Sequence, residues 1–88
     1  MKNKSKEIIS DYMIDYDMFS AEEIIKIISF MHLVEETKRK KVNKELLISK
    51  YNEYRTILNN KSLEKQYDKM LLKKSGVSIY QVMKEIIN

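Results

Sequence analysis

From residue 20 onward the apolar side chains recur at the three- and four-residue intervals of amphipathic helices. Ile24, Ile27, Ile28, Met31 and Val34 form the first stripe, with Glu22, Lys26, Ser29 and Glu36 off it. Ser20-Ala21-Glu22-Glu23 has the form of a capping box, in which the Ser20 hydroxyl accepts from the Glu23 amide and the Glu23 carboxylate reaches back. Phe19 and Ile24 have the spacing of a hydrophobic staple, so the first helix is predicted over about 20–38. Asn43 can cap a second helix, whose stripe is Leu47, Tyr51, Tyr54 and Leu58, flanked by Leu46 and Ile57 and ending near Asn59-Asn60.

Ser62 is the expected cap of a third helix bearing Leu63, Tyr67, Met70 and Leu71, and Gly76 is the expected left-handed stop. Ser78 followed by Gln81 reads as a second capping box, opening a short helix with Ile79, Val82, Met83 and Ile86 on one face. Before the first helix, Ile8, Ile9, Tyr12 and Met13 suit one helical face, whereas Asp15-Tyr16-Asp17 suits a turn or extended segment. The expectation is all-α: a compact bundle of about four helices with an N-terminal extended or helical arm. Residues 1–11 form the arm, with 1–6 disordered, and 12–88 the single domain, 12–19 packing across the bundle.

Composition narrows this further. At 88 residues the chain is too short for two cores, and with no Cys and one His it has neither disulfides nor a metal cluster to reinforce one. Pro and Trp are absent and Gly occurs once, which removes most of the punctuation that β-hairpins require. Charges interrupt every apolar run well short of the roughly 18 to 20 residues that span a bilayer, and no export signal is visible, so a cytoplasmic protein is expected, with no membrane partner.

Several motifs, each weak alone, keep a nearly constant spacing: Tyr12-x-Ile14-Asp15-Tyr16-Asp17, Ser20-x-Glu22-Glu23, Val34-Glu35, Glu64-Lys65-Gln66 and Ser75-Gly76-x-Ser78-x-Tyr80. Through them the chain, from about residue 12 to its C-terminus, resembles the YktA-like family, one of the uncharacterised protein families (UPF) of small helical proteins from low-GC Gram-positive bacteria. Met13, Met18-Phe19 and Asn60 stand near positions where that family usually has Pro, Trp and Pro, and one extra residue precedes Ser20. The resemblance implies a compact helical fold and brings no catalytic residue or ligand with it.

Candidate chemistry is sparse. His32 has Ser29, Phe30, Met31, Leu33, Glu35 and Glu36 as helical neighbours, which supply no triad and no three-ligand set. Asp11, Asp15, Asp17, Glu22 and Glu23 are acidic, but lack the Gly and terminal Glu of a calcium loop and suit the dipole of the first helix better. No catalytic residue, metal or cofactor is expected.

Charge is distributed unevenly. Residues 1–37 carry 4 Lys and 8 acidic groups, and residues 38–88 carry 13 basic and 5 acidic groups. Lys38, Arg39, Lys40 and Lys41 form a run, while Lys61, Lys65, Lys69 and Lys73 follow one another at four-residue steps. Together they are the candidate basic face, able to meet phosphates or an acidic protein. The plainer reading is a solvated helix edge, helped by Glu64 and Asp68 near Lys65 and Lys69 and by an AT-rich genome, indicated by 12 Ile, 15 Lys and 6 Asn, that inflates lysine by itself. The acidic N-terminal segment can also screen the basic face within the molecule.

Tyr51, Tyr54 and Tyr67 lie on apolar stripes and are expected in the core, leaving Tyr12, Tyr16 and Tyr80 for contacts elsewhere. Tyr12, Met13, Tyr16, Met18 and Phe19 make the candidate partner-binding patch. The function expected is that of a non-enzymatic protein-interaction module, an adaptor or regulator that binds another protein or a second copy of itself. The alternative is an accessory nucleic-acid- or ribosome-associated protein using the basic face.

Overall fold

The computed structural model describes residues 14–87. The arm at 1–11, Tyr12 and Met13 lie outside the described residues. Four helices follow one another: α1 (Ala21–Glu36), α2 (Lys44–Leu58), α3 (Lys61–Ser75) and α4 (Ile79–Ile87). No strand occurs among the described residues. Each helix packs on the next in the chain, α1 on α2, α2 on α3 and α3 on α4. None is long and apolar enough to cross a membrane.

Caps set the ends. The Ser20 hydroxyl accepts from the Glu23 amide at 3.1 Å, and the Ser20 amide donates to Glu23 Oε1 at 2.9 Å, which completes the expected box. α1 stops at Glu36, two residues short of the prediction, and passes through a capping Thr37 into a turn. Asn43 Oδ1 accepts from the Leu46 amide at 2.9 Å and starts α2. Gly76 closes α3 at φ 75°, its amide donating to the Leu72 carbonyl at 2.7 Å. A side chain there would have to hold a left-handed backbone.

The cap of α3 is Asn60, not Ser62: Asn60 Oδ1 accepts from the Leu63 amide at 2.9 Å. The link from α2 is only Asn59-Asn60. Asn59 takes the left-handed conformation at φ 46° that ends α2, and the extended Asn60 reverses the chain immediately, so α3 begins two residues earlier than a Ser62 cap would allow. Asn and Ser are comparable caps, and the short connection decides between them.

The core is formed by Ile24, Ile27, Phe30, Met31 and Val34 of α1, Leu47, Tyr54 and Leu58 of α2, Tyr67 and Leu71 of α3, and Val77, Ile79 and Met83 beyond them. The α1 stripe is rotated from the one expected: Phe30 is fully buried and Ile28 only half-buried. Tyr51 is likewise half-buried, because α2 turns Tyr54 toward Phe30. The Phe30 ring lies 4.7 Å from that of Tyr54 and 5.8 Å from that of Tyr51, within the range of favourable tilted aromatic contacts.

Ahead of α1, Asp15 folds the chain into a turn in which its Oδ1 accepts from the amides of Asp17 (3.0 Å) and Met18 (3.2 Å). Ile14 and Phe19 drop into the core on either side of it. The Asp15 amide donates to the Tyr67 hydroxyl at 3.2 Å, and Phe19 meets the Tyr67 ring edge-on at 6.3 Å. Residues 14–19 therefore cross the bundle, held to α3 by Tyr67.

The two buried tyrosines differ in what their hydroxyls do. Tyr67 accepts from the Asp15 amide, whereas the Tyr54 hydroxyl is buried with no hydrogen-bond partner among the described residues. Burial pushes the Tyr54 phenol far above its ordinary range, and the charges of Asp68 and Glu64 add to that. Tyr54→Phe removes an unsatisfied polar atom and is expected to leave stability unchanged or raise it by about 1 kcal/mol, whereas Tyr67→Phe strands the Asp15 amide and should cost about 1 kcal/mol, both read by urea denaturation. Above pH about 10 an unfolded Tyr54 ionises while the folded one stays neutral, so stability falls as pH rises through that range, and less so in Tyr54→Phe.

Candidate interaction surface

α3 contributes Tyr67 and Leu71 to the core. With about 100° per residue, Lys61, Lys65, Lys69 and Lys73 advance about 40° per step and fan across the side opposite that pair. All four are exposed. Ser62, Gln66 and Leu72, also exposed, complete the solvent face.

The two carboxylates of α3 make their contacts with other elements, while Asp68 still borders this face, lining a shallow recess with Lys65, Lys69 and Leu72. Glu64 and Asp68 lie on its half-buried flank. Glu64 Oε2 pairs with Arg55 Nε of α2 at 3.9 Å. Asp68 Oδ1 accepts from the Ile79 amide at 2.8 Å, satisfying a free N–H at the start of α4. Ser78 Oγ accepts from the Gln81 amide at 3.2 Å, so α4 is capped from its own sequence and from α3 at once. None of Lys61, Lys65, Lys69 and Lys73 makes an ion pair with a described residue. Lys61, Lys65, Lys69 and Lys73 thus form a solvated helix edge with Asp68 at its border.

The run after α1 is used differently. Lys38 Nζ donates to the Ser75 carbonyl at 2.7 Å, placing a positive charge on the C-terminal end of α3. Lys40 pairs with Glu36 at 3.7 Å, one turn back along the chain, and Lys74 with Glu35 at 3.7 Å. The exposed Lys40–Glu36 pair is local and contributes little energy, whereas the half-buried Lys74–Glu35 pair and the Lys38–Ser75 hydrogen bond link the ends of α1 and α3. Lys38 thus reaches the end of the α3 row, whereas Lys38 and Lys40 are partly engaged by the protein itself. Arg39 and Lys41 are exposed.

The proposed apolar patch is divided. Phe19 is 9% exposed and belongs to the core, showing only an edge in a shallow recess that it lines with Met18, Ile57, Leu63 and Gln66. Met18 is 54% and Tyr16 41% exposed, and of the two only Met18 lines that recess. His32 is exposed, and no group of three or more His, Cys, Asp or Glu side chains suited to a metal ion occurs among the described residues.

Residues 10–88 match the model of the Uncharacterised protein family (UPF0223). The chain belongs to this family. It is 38% identical over 65 residues to the UPF0223 protein of Streptococcus mutans, covering 74% of this chain and 71% of the relative. It is 35% identical over 74 residues to a UPF0223 protein of Bacillus cytotoxicus, covering 84% and 82%, and 39% identical over 67 residues to one of Streptococcus equi subsp. zooepidemicus, covering 76% and 73%. No solved structure shows a significant match. The resemblance drawn from the tyrosine, aspartate and capping motifs therefore pointed to an uncharacterised family of this kind, and in this UPF0223 protein the same residues are structural: Asp15 builds the turn, Ser20 and Glu23 the box, Gly76 the stop.

Asp68 and the face lysines should separate in their effects. Asp68→Ala leaves the Ile79 amide without its acceptor and is expected to cost about 1 kcal/mol in urea denaturation. Lys69→Ala, on the solvent face, should change stability by less than about 0.5 kcal/mol.

Proposed function

We propose that this protein is a small interaction module without chemistry of its own, which holds an acidic partner on the solvent face of α3. The observation that carries the reading is the lysine row on that helix: Glu64 pairs with Arg55, Asp68 at the border of the row accepts from the Ile79 amide, and four lysines stand exposed without an ion-pair partner among the described residues. Such a face attracts anionic surfaces over several ångströms and costs little to dock, since no ion pair within the protein has to break first.

Exposure of Met18 favours a second contact at the recess it lines with Phe19 and Leu63, near the start of α3. Methionine adapts its shape to a partner, and Met18 is free of the core. Phe19 adds only the edge it shows in that recess.

The test is affinity purification of the tagged protein from a Bacillus host, with and without nuclease, beside Lys65→Glu plus Lys69→Glu and, separately, Met18→Ser. The double charge reversal is expected to abolish recovery of the partner with helicity by circular dichroism unchanged, and Met18→Ser to weaken it several-fold. Recovery indifferent to the double reversal rules the α3 face out.

A further inference from the structure

We infer that the partner held on the α3 face is duplex DNA, bound through its phosphates without sequence preference; this rests on the reading of that face as the contact surface. Lys61 to Lys73 cover about 18 Å of a straight helix at about 6 Å per step. Their charge is supplied from a rigid element, so the row meets a partner whose own charges are regularly spaced and rigid with little further ordering.

Three features of the face choose among polyanions. It carries no aromatic ring, Tyr67 being 3% exposed on the other side of the helix, so it has no stacking platform for the bases of a single strand. A protein partner of useful affinity needs buried apolar anchors at the centre of the contact, and the face offers Leu72 alone. Its polar residues besides lysine are Ser62, Gln66 and, at its border, Asp68, too few to read a run of base edges, which leaves the phosphate backbone. Beyond the C-terminal end of the row, Lys38, held at the Ser75 carbonyl, and Arg39 line a recess with Glu35, Glu36 and Lys74 and stand outside the face.

Counterion release gives the inference a number. Four lysines on four phosphates predict that log K falls with log salt at a slope of about −3.6, roughly a 150-fold loss of affinity between 50 and 200 mM salt. Lys65→Gln plus Lys69→Gln should bring the slope to about −1.8 and the loss to roughly 12-fold.

The experiment is fluorescence anisotropy of the full chain with a labelled duplex DNA, repeated with single-stranded DNA and duplex RNA of the same sequence, across that salt range. Circular dichroism confirms that the variants are folded. Binding of duplex DNA with the steep slope, halved in the double variant, is the expected result. No binding at about 50 mM salt, a slope the double variant leaves unchanged, or tighter binding of either other nucleic acid overturns the inference. If duplex DNA fails but the charge-reversed protein still loses a nuclease-resistant protein partner, the DNA inference falls and the interaction reading stands; if both are indifferent to the face, both fall.

Discussion

The contact of Phe30 with Tyr54 is the interaction on which the remaining structure depends. Both side chains are buried, their rings 4.7 Å apart, and they join the two helices that share the largest interface. In a domain of this size without cysteine, aromatic burial must supply much of what holds the chain together. Its consequence is tolerated at Tyr54, whose hydroxyl enters the core without a hydrogen-bond partner among the described residues. Once Tyr54 faces α1, α2 has a fixed rotation, and Arg55 is turned to the surface where Glu64 can reach it.

That rotation carries through to the surface. The two-residue connection at Asn59-Asn60 allows α3 little choice of position, and Tyr67 and Leu71 must point inward. Glu64 and Asp68 then fall on the flanks, one against Arg55 and the other at the start of α4. The lysines are left on the remaining side. A lysine-rich face with Asp68 at its border is thus a product of packing geometry and of which side chains the neighbouring helices engage.

Much of the helical plan was legible because it is local. The capping box at Ser20, the Asn43 cap and the Gly76 stop each use groups within three or four residues, so their spacing in sequence is their spacing in space. The Ser62 cap failed where two signals competed within three residues, and the choice was made by the length of the turn. Phe19 failed for a related reason: an apolar residue before a capping box is as well suited to a core as to an exposed patch, and its edge contact with Tyr67, 48 positions away, decided for the core. The contacts of Asp15 with Tyr67, Lys38 with Ser75 and Asp68 with Ile79 had no sequence signal, since each spans more than a helical turn.

By itself, then, the sequence determined the helices, most of their ends and the family, all properties of periodicity and short-range hydrogen bonding. It also supplied the excess of lysine in the second half of the chain. Which groups Glu64 and Asp68 engage was decided only by the tertiary structure, because they lie next to Lys65 and Lys69 along the chain but are directed by packing toward Arg55 and the Ile79 amide. Adjacency in sequence gives the distance between backbones, and only the packed helices fix the direction in which each charge points.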